Sequence, residues 1–198
     1  FASTGVVVAG RAVLHAARGL RAKILAETGG GAIPAGLELS ADGHWGGSPR
    51  SVAFNAQWFR VAVDPGTGET RILASVHSAD AGAVLNPLQC RGQIEGGVAQ
   101  ALGATLAEHV DLDDEGRVTT TGFRQYHLPT FADVPRTEVH FATTDDPLGP
   151  LGAKSMSESP FNPVAPALAN ALRDATGVRY TALPFTRDRI WSGLQNPG

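Results

Sequence analysis

The sequence predicts an α+β domain in which a mixed, largely antiparallel sheet is packed by helices. Three observations carry that reading. Apolar residues recur at three- and four-residue spacings in three separate windows, as in helices with one buried face. Other windows alternate apolar and polar residues, and two of them flank the turn-forming Pro65-Gly66-Thr67-Gly68. The two kinds of window are interleaved along the chain with no internal repeat, which suits an α+β arrangement.

The first helical window follows Ser3-Thr4-Gly5 and the apolar run Val6 to Ala9. Val13, Leu14, Ala17, Leu20, Ile24 and Leu25 make its stripe, and Gly29-Gly30-Gly31 ends it. A Gly- and Ser-rich loop spans Ser40 to Arg50. Strands are expected over Phe54 to Asp64 and Thr70 to Ser78, paired as a hairpin. The second helix is expected from about Gln93 to His109, with Ile94, Val98, Ala101, Leu102 and Thr105 on one face. Strands are further expected on both sides of the Asp113-Asp114-Glu115-Gly116 turn, over Tyr126 to Pro129, over Thr137 to Thr143, and at Tyr180 to Phe185. The last helix is expected to begin at Asn162-Pro163 and to end at Gly177. Its stripe is Val164, Leu168, Ala171, Leu172 and Ala175.

Composition narrows the function. A chain of 198 residues, 42% hydrophobic and 18% charged, can bury a sizeable core and is not of disordered composition. The net charge of −3 gives no reason to expect a nucleic-acid or anionic-membrane partner. Cys90 is the only cysteine, so neither an intrachain disulfide nor a cysteine-built metal cluster fits within the chain. No apolar run reaches the roughly 20 residues of a spanning helix, and the start is unlike a signal peptide. The opening on Phe1, inside a regular stretch, predicts a fragment, a processed subunit or a trimmed piece.

Most candidate motifs have ordinary explanations. The six histidines lack paired ligand spacing, so packed or surface roles are expected and no protein metal ligand is assigned. Asp111-x-Asp113-x-Glu115-Gly116 imitates a calcium loop, but Gly122 occupies the position of the bidentate acid, and a turn explains the residues. Phosphate-loop and serine-hydrolase motifs are absent. Glu158 stands out, on the small-residue loop Gly152-Ala153-Lys154-Ser155-Met156-Ser157-Glu158, with one of only two lysines beside it. A loop acid packed against a helix is a common general-base arrangement. Ser155-x-x-Glu158 also matches a helix capping box, although Pro160 argues against a helix starting there.

An ordered series of short motifs adds a family resemblance. Val63-Asp64-Pro65-Gly66-Thr67-Gly68-Glu69, Asp80-Ala81-Gly82 with Asn86-Pro87, and Gly92-Gln93-Ile94-Glu95-Gly96-Gly97 come first. Tyr126-x-x-Pro129, Gly149-Pro150-x-Gly152-Ala153-Lys154 with Glu158, and Ala175-Thr176-Gly177 follow. Together they resemble the C-terminal half of the molybdopterin-binding subunit of the xanthine dehydrogenase/aldehyde oxidase family of molybdenum hydroxylases. The resemblance implies a molybdenum-bearing molybdopterin, in its cytosine dinucleotide form as in many bacterial members. It also implies oxidation of an aldehyde or N-heterocycle with water as the oxygen source, and the fold of the molybdenum-cofactor-binding domain.

By the same resemblance Glu158 matches the general base toward a molybdenum-bound hydroxyl, and Gln93 a glutamine hydrogen-bonded to the cofactor. Ser3 and Thr4, with Lys154, Ser155, Met156 and Ser157, match cofactor-contacting loops. Residues 1–35 would form a cofactor loop, helix and Gly-rich connection, and 36–198 the remaining domain portion, incomplete without an upstream half. Implied partners are that upstream half, an iron–sulfur subunit with 2Fe–2S clusters and, in many members, an FAD subunit, with a small-molecule substrate. The cytoplasm is the expected compartment, with the periplasm as the alternative should a partner carry a signal.

Two departures stand out. Ser155 and Ser157 occupy positions where the family usually has glycine, and the upstream half is missing. They leave a second reading, a degenerate or excised non-catalytic module, and a third, a carboxylate hydrolase using Glu158 with Asp145 or Asp146.

Overall fold

The interleaved pattern corresponds to a three-stranded sheet and five α-helices among the described residues. The protein is seen here as a computed structural model that describes residues 4–47, 49 and 51–196. Its contacts separate two compact units, each assembled from distant stretches of chain. One comprises Phe1–Ala53, Asp80–Leu85 and Ala142–Met156; the other comprises Phe54–Ala79, Asn86–Phe141 and Ser157–Gly198.

In the first unit a π-helical turn, Gly5–Ala9, runs into helix α1, Gly10–Thr28. Gly29 ends α1 in the left-handed region, its N–H bonded to Leu25 O at 2.9 Å. The stripe read from the sequence is real, yet none of α1 is fully buried, and Val13 is 67% exposed. The loop over residues 40–47 lies along the helix as a strap. Lys23 Nζ donates to Ser40 O, His15 Nδ1 pairs with His44 O, and Arg11 stacks on Trp45 at 4.6 Å. Gly43 makes this possible, because a Cβ there would strike the backbone at Ala12 and Ala16.

The second unit holds the sheet. Strand β1, Asn55–Val63, pairs antiparallel with β2, Thr70–Ala79, with a bulge between Arg60 and Val61. Strand β3, Thr137–Phe141, joins β2 in parallel, so the order is β1-β2-β3 and the sheet is mixed. The α+β expectation holds. Helix α2, Pro87–Leu106, buries Ile94, Val98, Ala101, Leu102 and Thr105, the face expected from the sequence. Helix α4, Val164–Thr176, packs on β1 and buries Val164, Leu168 and Leu172 completely. Each such side chain contributes about 1.5–3 kcal/mol by leaving water.

Several boundaries differ from the sequence reading. Helix α2 begins at Pro87, because Asn86 Oδ1 caps Gln89 N–H at 3.1 Å and proline suits the first helical position. Helix α4 begins at Val164 with Pro163, not Asn162, at its N-cap, because a 3-10 turn, Ser159–Phe161, already occupies the approach. Around the 113–116 turn the expected strands reduce to one bridge between Leu112 and Val118. Asp113 serves that turn by accepting the N–H groups of Glu115 and Arg117.

Tyr126 to Pro129 is not extended. A one-turn helix α3, Phe123–Tyr126, ends at His127 in the left-handed region. Tyr180 to Phe185 is irregular, with a cis bond at Leu183-Pro184, although Tyr180 and Phe185 do enter the core. Helix α5, Arg187–Gln195, has no counterpart in the sequence reading; it is short and buries only Ile190. No helix among the described residues is long and apolar enough to cross a membrane.

Candidate functional site

Glu158 sits where α2 receives the turn that leads into α4. Its backbone, at φ −99° and ψ −16°, lies near the sparsely populated bridge region where many site residues are found. Its carbonyl accepts Phe161 N–H at 3.2 Å, closing the 3-10 turn, and its side chain is exposed. No helix starts at Ser155, so the capping-box reading of Glu158 falls away.

Two residues of α2 hold this turn. Gln93 Nε2 donates to Ser157 O at 2.6 Å, tying the chain just before the acid. One helical turn later, Gly97 lies beneath Pro160, where an added Cβ would come within 2.9 Å of the proline ring. Glycine is required there because the turn rests on the helix backbone itself. Gly92 and Gly96 differ: nothing lies within 4 Å of the point where a Cβ would project. They flank the exposed Gln93, whose amide oxygen and second N–H have no described partner. Those two groups and the uncovered backbone leave a polar surface on this face of α2.

The other candidates fall in the first unit. Thr4 is the N-cap of the π-helical turn, and its carbonyl accepts Val8 N–H at 2.8 Å. Ser3 lies outside the described residues. Met156 is buried, and Ser155 Oγ accepts Val7 N–H at 3.2 Å. Neither Ser155 nor Ser157 adopts a positive φ, so serine is accommodated at both positions without backbone strain. Asp146 is buried with Oδ1 committed to Leu148 N–H, a turn-forming role.

Lys154 is held at its side chain as well. Its ammonium meets Asp80 Oδ2 at 2.6 Å and Val52 O at 3.2 Å. Burial pushes the Asp80 carboxyl up, and its bonds from Lys154, Thr144 and Gly82 outweigh that, holding it below the usual range. Sequence reasoning named Lys154 and quoted Asp80-Ala81-Gly82 but did not join them. The scarcity of lysine in the chain was the signal that could have prompted it.

Among the described residues no cluster of three His, Cys, Asp or Glu could hold a metal ion. His77 is fully buried between the side-chain amides of Gln57 and Asn55, with Nδ1–H donating to Gln57 Oε1, and burial lowers its pKa to about 4. A cavity of about 950 Å³ opens elsewhere in the second unit, bordered by Arg71, Leu102, His109, His127, Phe185 and Arg187. Neither Gln93 nor Glu158 lines it.

The site is thus an exposed acid on a clamped turn beside an uncovered helix face of an α+β domain, and known proteins give its class. Aldehyde oxidoreductase from Desulfovibrio gigas superposes with a TM-score of 0.84 at 26% identity, covering 98% of this chain and 23% of that one. The "Probable hypoxanthine oxidase XdhD" of Escherichia coli is 36% identical over 143 residues, which is 72% of this chain and 15% of that protein. The 6-hydroxypseudooxynicotine dehydrogenase complex subunit gamma of Paenarthrobacter nicotinovorans is 35% identical over 161 residues, 79% of this chain and 20% of that protein. The molybdopterin cofactor-binding domain family matches residues 25–135, more than half the chain. The chain belongs to that family. It spans about a fifth of the length of these relatives.

Proposed function

We propose that this chain forms part of the catalytic subunit of a molybdenum hydroxylase that oxidises an aldehyde or N-heterocycle with water as the oxygen source. The observation that carries the proposal is the placement of Glu158, exposed on a turn that Gln93 and Gly97 seat on α2. The bound cofactor supplies two-electron redox chemistry. Glu158 takes the proton from the water-derived nucleophile, as a positioned general base. Gln93 offers an N–H and a carbonyl to the cofactor's polar edge while holding the acid's loop through Ser157 O.

Ser3, Thr4, Ser155, Met156 and Ser157 are proposed as cofactor contacts by the family resemblance, and Lys154 as one through its main chain because its ammonium is taken by Asp80. The cofactor would be the cytosine dinucleotide form, and 2Fe–2S clusters on partner domains or subunits, joined in many members by FAD, would carry its electrons away. An upstream half of the same subunit completes the site, residues 1–35 serving it as loop and helix and 36–198 as domain body. The cytoplasm is the proposed compartment.

The test is Glu158→Gln in the complete assembly. A general base is worth about 10²–10⁴-fold in rate, so turnover should fall by that much while molybdenum content stays at the wild-type level. Normal turnover by the variant, in an assembly that contains molybdenum, would refute the role of Glu158. A wild-type assembly without molybdenum would refute the cofactor.

A further inference from the structure

We propose that Asp80 and Lys154 form a buried clamp that positions the turn from Gly152 to Ser155, and through it the short loop that delivers Glu158. The clamp itself is read from geometry; its catalytic consequence rests on Glu158 being the base.

Both side chains are nearly out of solvent, Lys154 at 14% and Asp80 at 8% exposure. Other pairs, such as Arg91–Glu95 and Arg187–Glu69, sit in water, where an ion pair holds little in place. A buried pair costs desolvation and persists only when its remaining hydrogen-bonding positions are filled. Here they are. Asp80 Oδ2 takes the ammonium at 2.6 Å, while Oδ1 accepts the Thr144 hydroxyl and Gly82 N–H. Val52 O takes a second ammonium proton.

The stretches around Val52, Asp80, Thr144 and Lys154 therefore meet at one ion pair. The main chain repeats the connection. Lys154 N–H donates to Ala81 O at 2.9 Å, Ala83 N–H to Gly152 O at 2.8 Å, and Asp146 N–H to Gly152 O at 3.0 Å. Gly82 is left-handed and presses on Gly152 O, which leaves no room for a Cβ. Only Ser155 and Met156 lie between Lys154 and Ser157, and Ser157 O is held in its own unit by Gln93. The clamp acts on the acid through the three residues of chain between them, Ser155, Met156 and Ser157.

The experiment uses the complete assembly carrying Lys154→Met, Lys154→Arg, or Asp80→Asn combined with Lys154→Met. The double variant leaves no stranded carboxylate and keeps the test alive if the single one folds poorly. Hydrogen exchange reads the clamp, and steady-state oxidation of an aromatic aldehyde and of a purine, assayed in parallel, reads the acid. Lys154→Met and the double variant should exchange the amides of Gly82, Ala83 and Lys154 about tenfold faster or more, with α2 and β1 unchanged.

Their kcat should fall roughly tenfold to a hundredfold at nearly constant KM, as expected of a small misplacement, and the pH midpoint of kcat/KM should not move. Lys154→Arg should recover most of both readouts. Wild-type exchange at those amides in both clamp-deleted variants would overturn the clamp. Faster exchange with unchanged kcat would overturn its positioning role. Full activity of Glu158→Gln would instead sink the reading of the acid, leaving exchange alone to decide the clamp.

Discussion

Replacing Gly97 with alanine probes how the acid's turn is seated. The new Cβ would sit 2.9 Å from the Pro160 ring, against an ordinary carbon–carbon contact of about 3.5–4.0 Å. Either the turn or the helix must therefore give by roughly 0.6 Å or more. Alanine gains about 1 kcal/mol over glycine in a helix interior. Overpacking of a seated contact costs about 1–3 kcal/mol. The two nearly cancel or leave a net loss of up to about 2 kcal/mol, so stability alone is a poor readout and geometry a good one. Displacement of a reacting group by about 1 Å can cost a hundredfold in rate, so the smaller shift here should lower kcat by roughly tenfold. Denaturation and steady-state kinetics of the assembly with Gly97→Ala measure both. A variant with higher stability and wild-type kcat would show that Pro160 yields freely and that the contact does not place Glu158.

Two stability predictions concern the sheet and its helix. Burial holds His77 neutral down to about pH 4, whereas its unfolded imidazole titrates near 6.5. The unfolded state thus takes up a proton first as pH falls: stability from this group is complete above pH 6.5 and is lost progressively toward pH 4, by at most about 3 kcal/mol. Denaturation midpoints across that window should slope for the wild type and flatten for His77→Gln; equal slopes would refute the assignment. Leu168, fully buried where α4 packs on β1, should lose about 2–5 kcal/mol on replacement by alanine, read as a shift of denaturation midpoint. A loss under about 1 kcal/mol would mean that α4 is not held by this face.

The sequence by itself determined the parts whose signal is periodic or covalent. The stripe of α2, the buried residues of α4, the β1–β2 hairpin and the caps at Gly29 and Gly177 were legible because spacing and turn chemistry act within a few residues. The family was legible as an ordered series of such local motifs. What the sequence did not disclose depends on neighbours far along the chain. Tyr180 to Phe185 carries an apolar strand-like pattern, but its burial comes from Thr105 O, which accepts Phe185 N–H, and from α5, which receives the Tyr180 hydroxyl at Ile190 O. Likewise α1 shows a clean stripe that remains largely exposed in the described structure, since periodicity states which face is apolar and not what covers it. At the candidate site, sequence picked out Glu158, Gln93 and Lys154 as residue types. Only tertiary structure joined Gln93 to Ser157 and Lys154 to Asp80, contacts made across 64 and 74 residues of chain. Hydrogen bonds and buried charge depend on distance in space, and that distance is set by the fold.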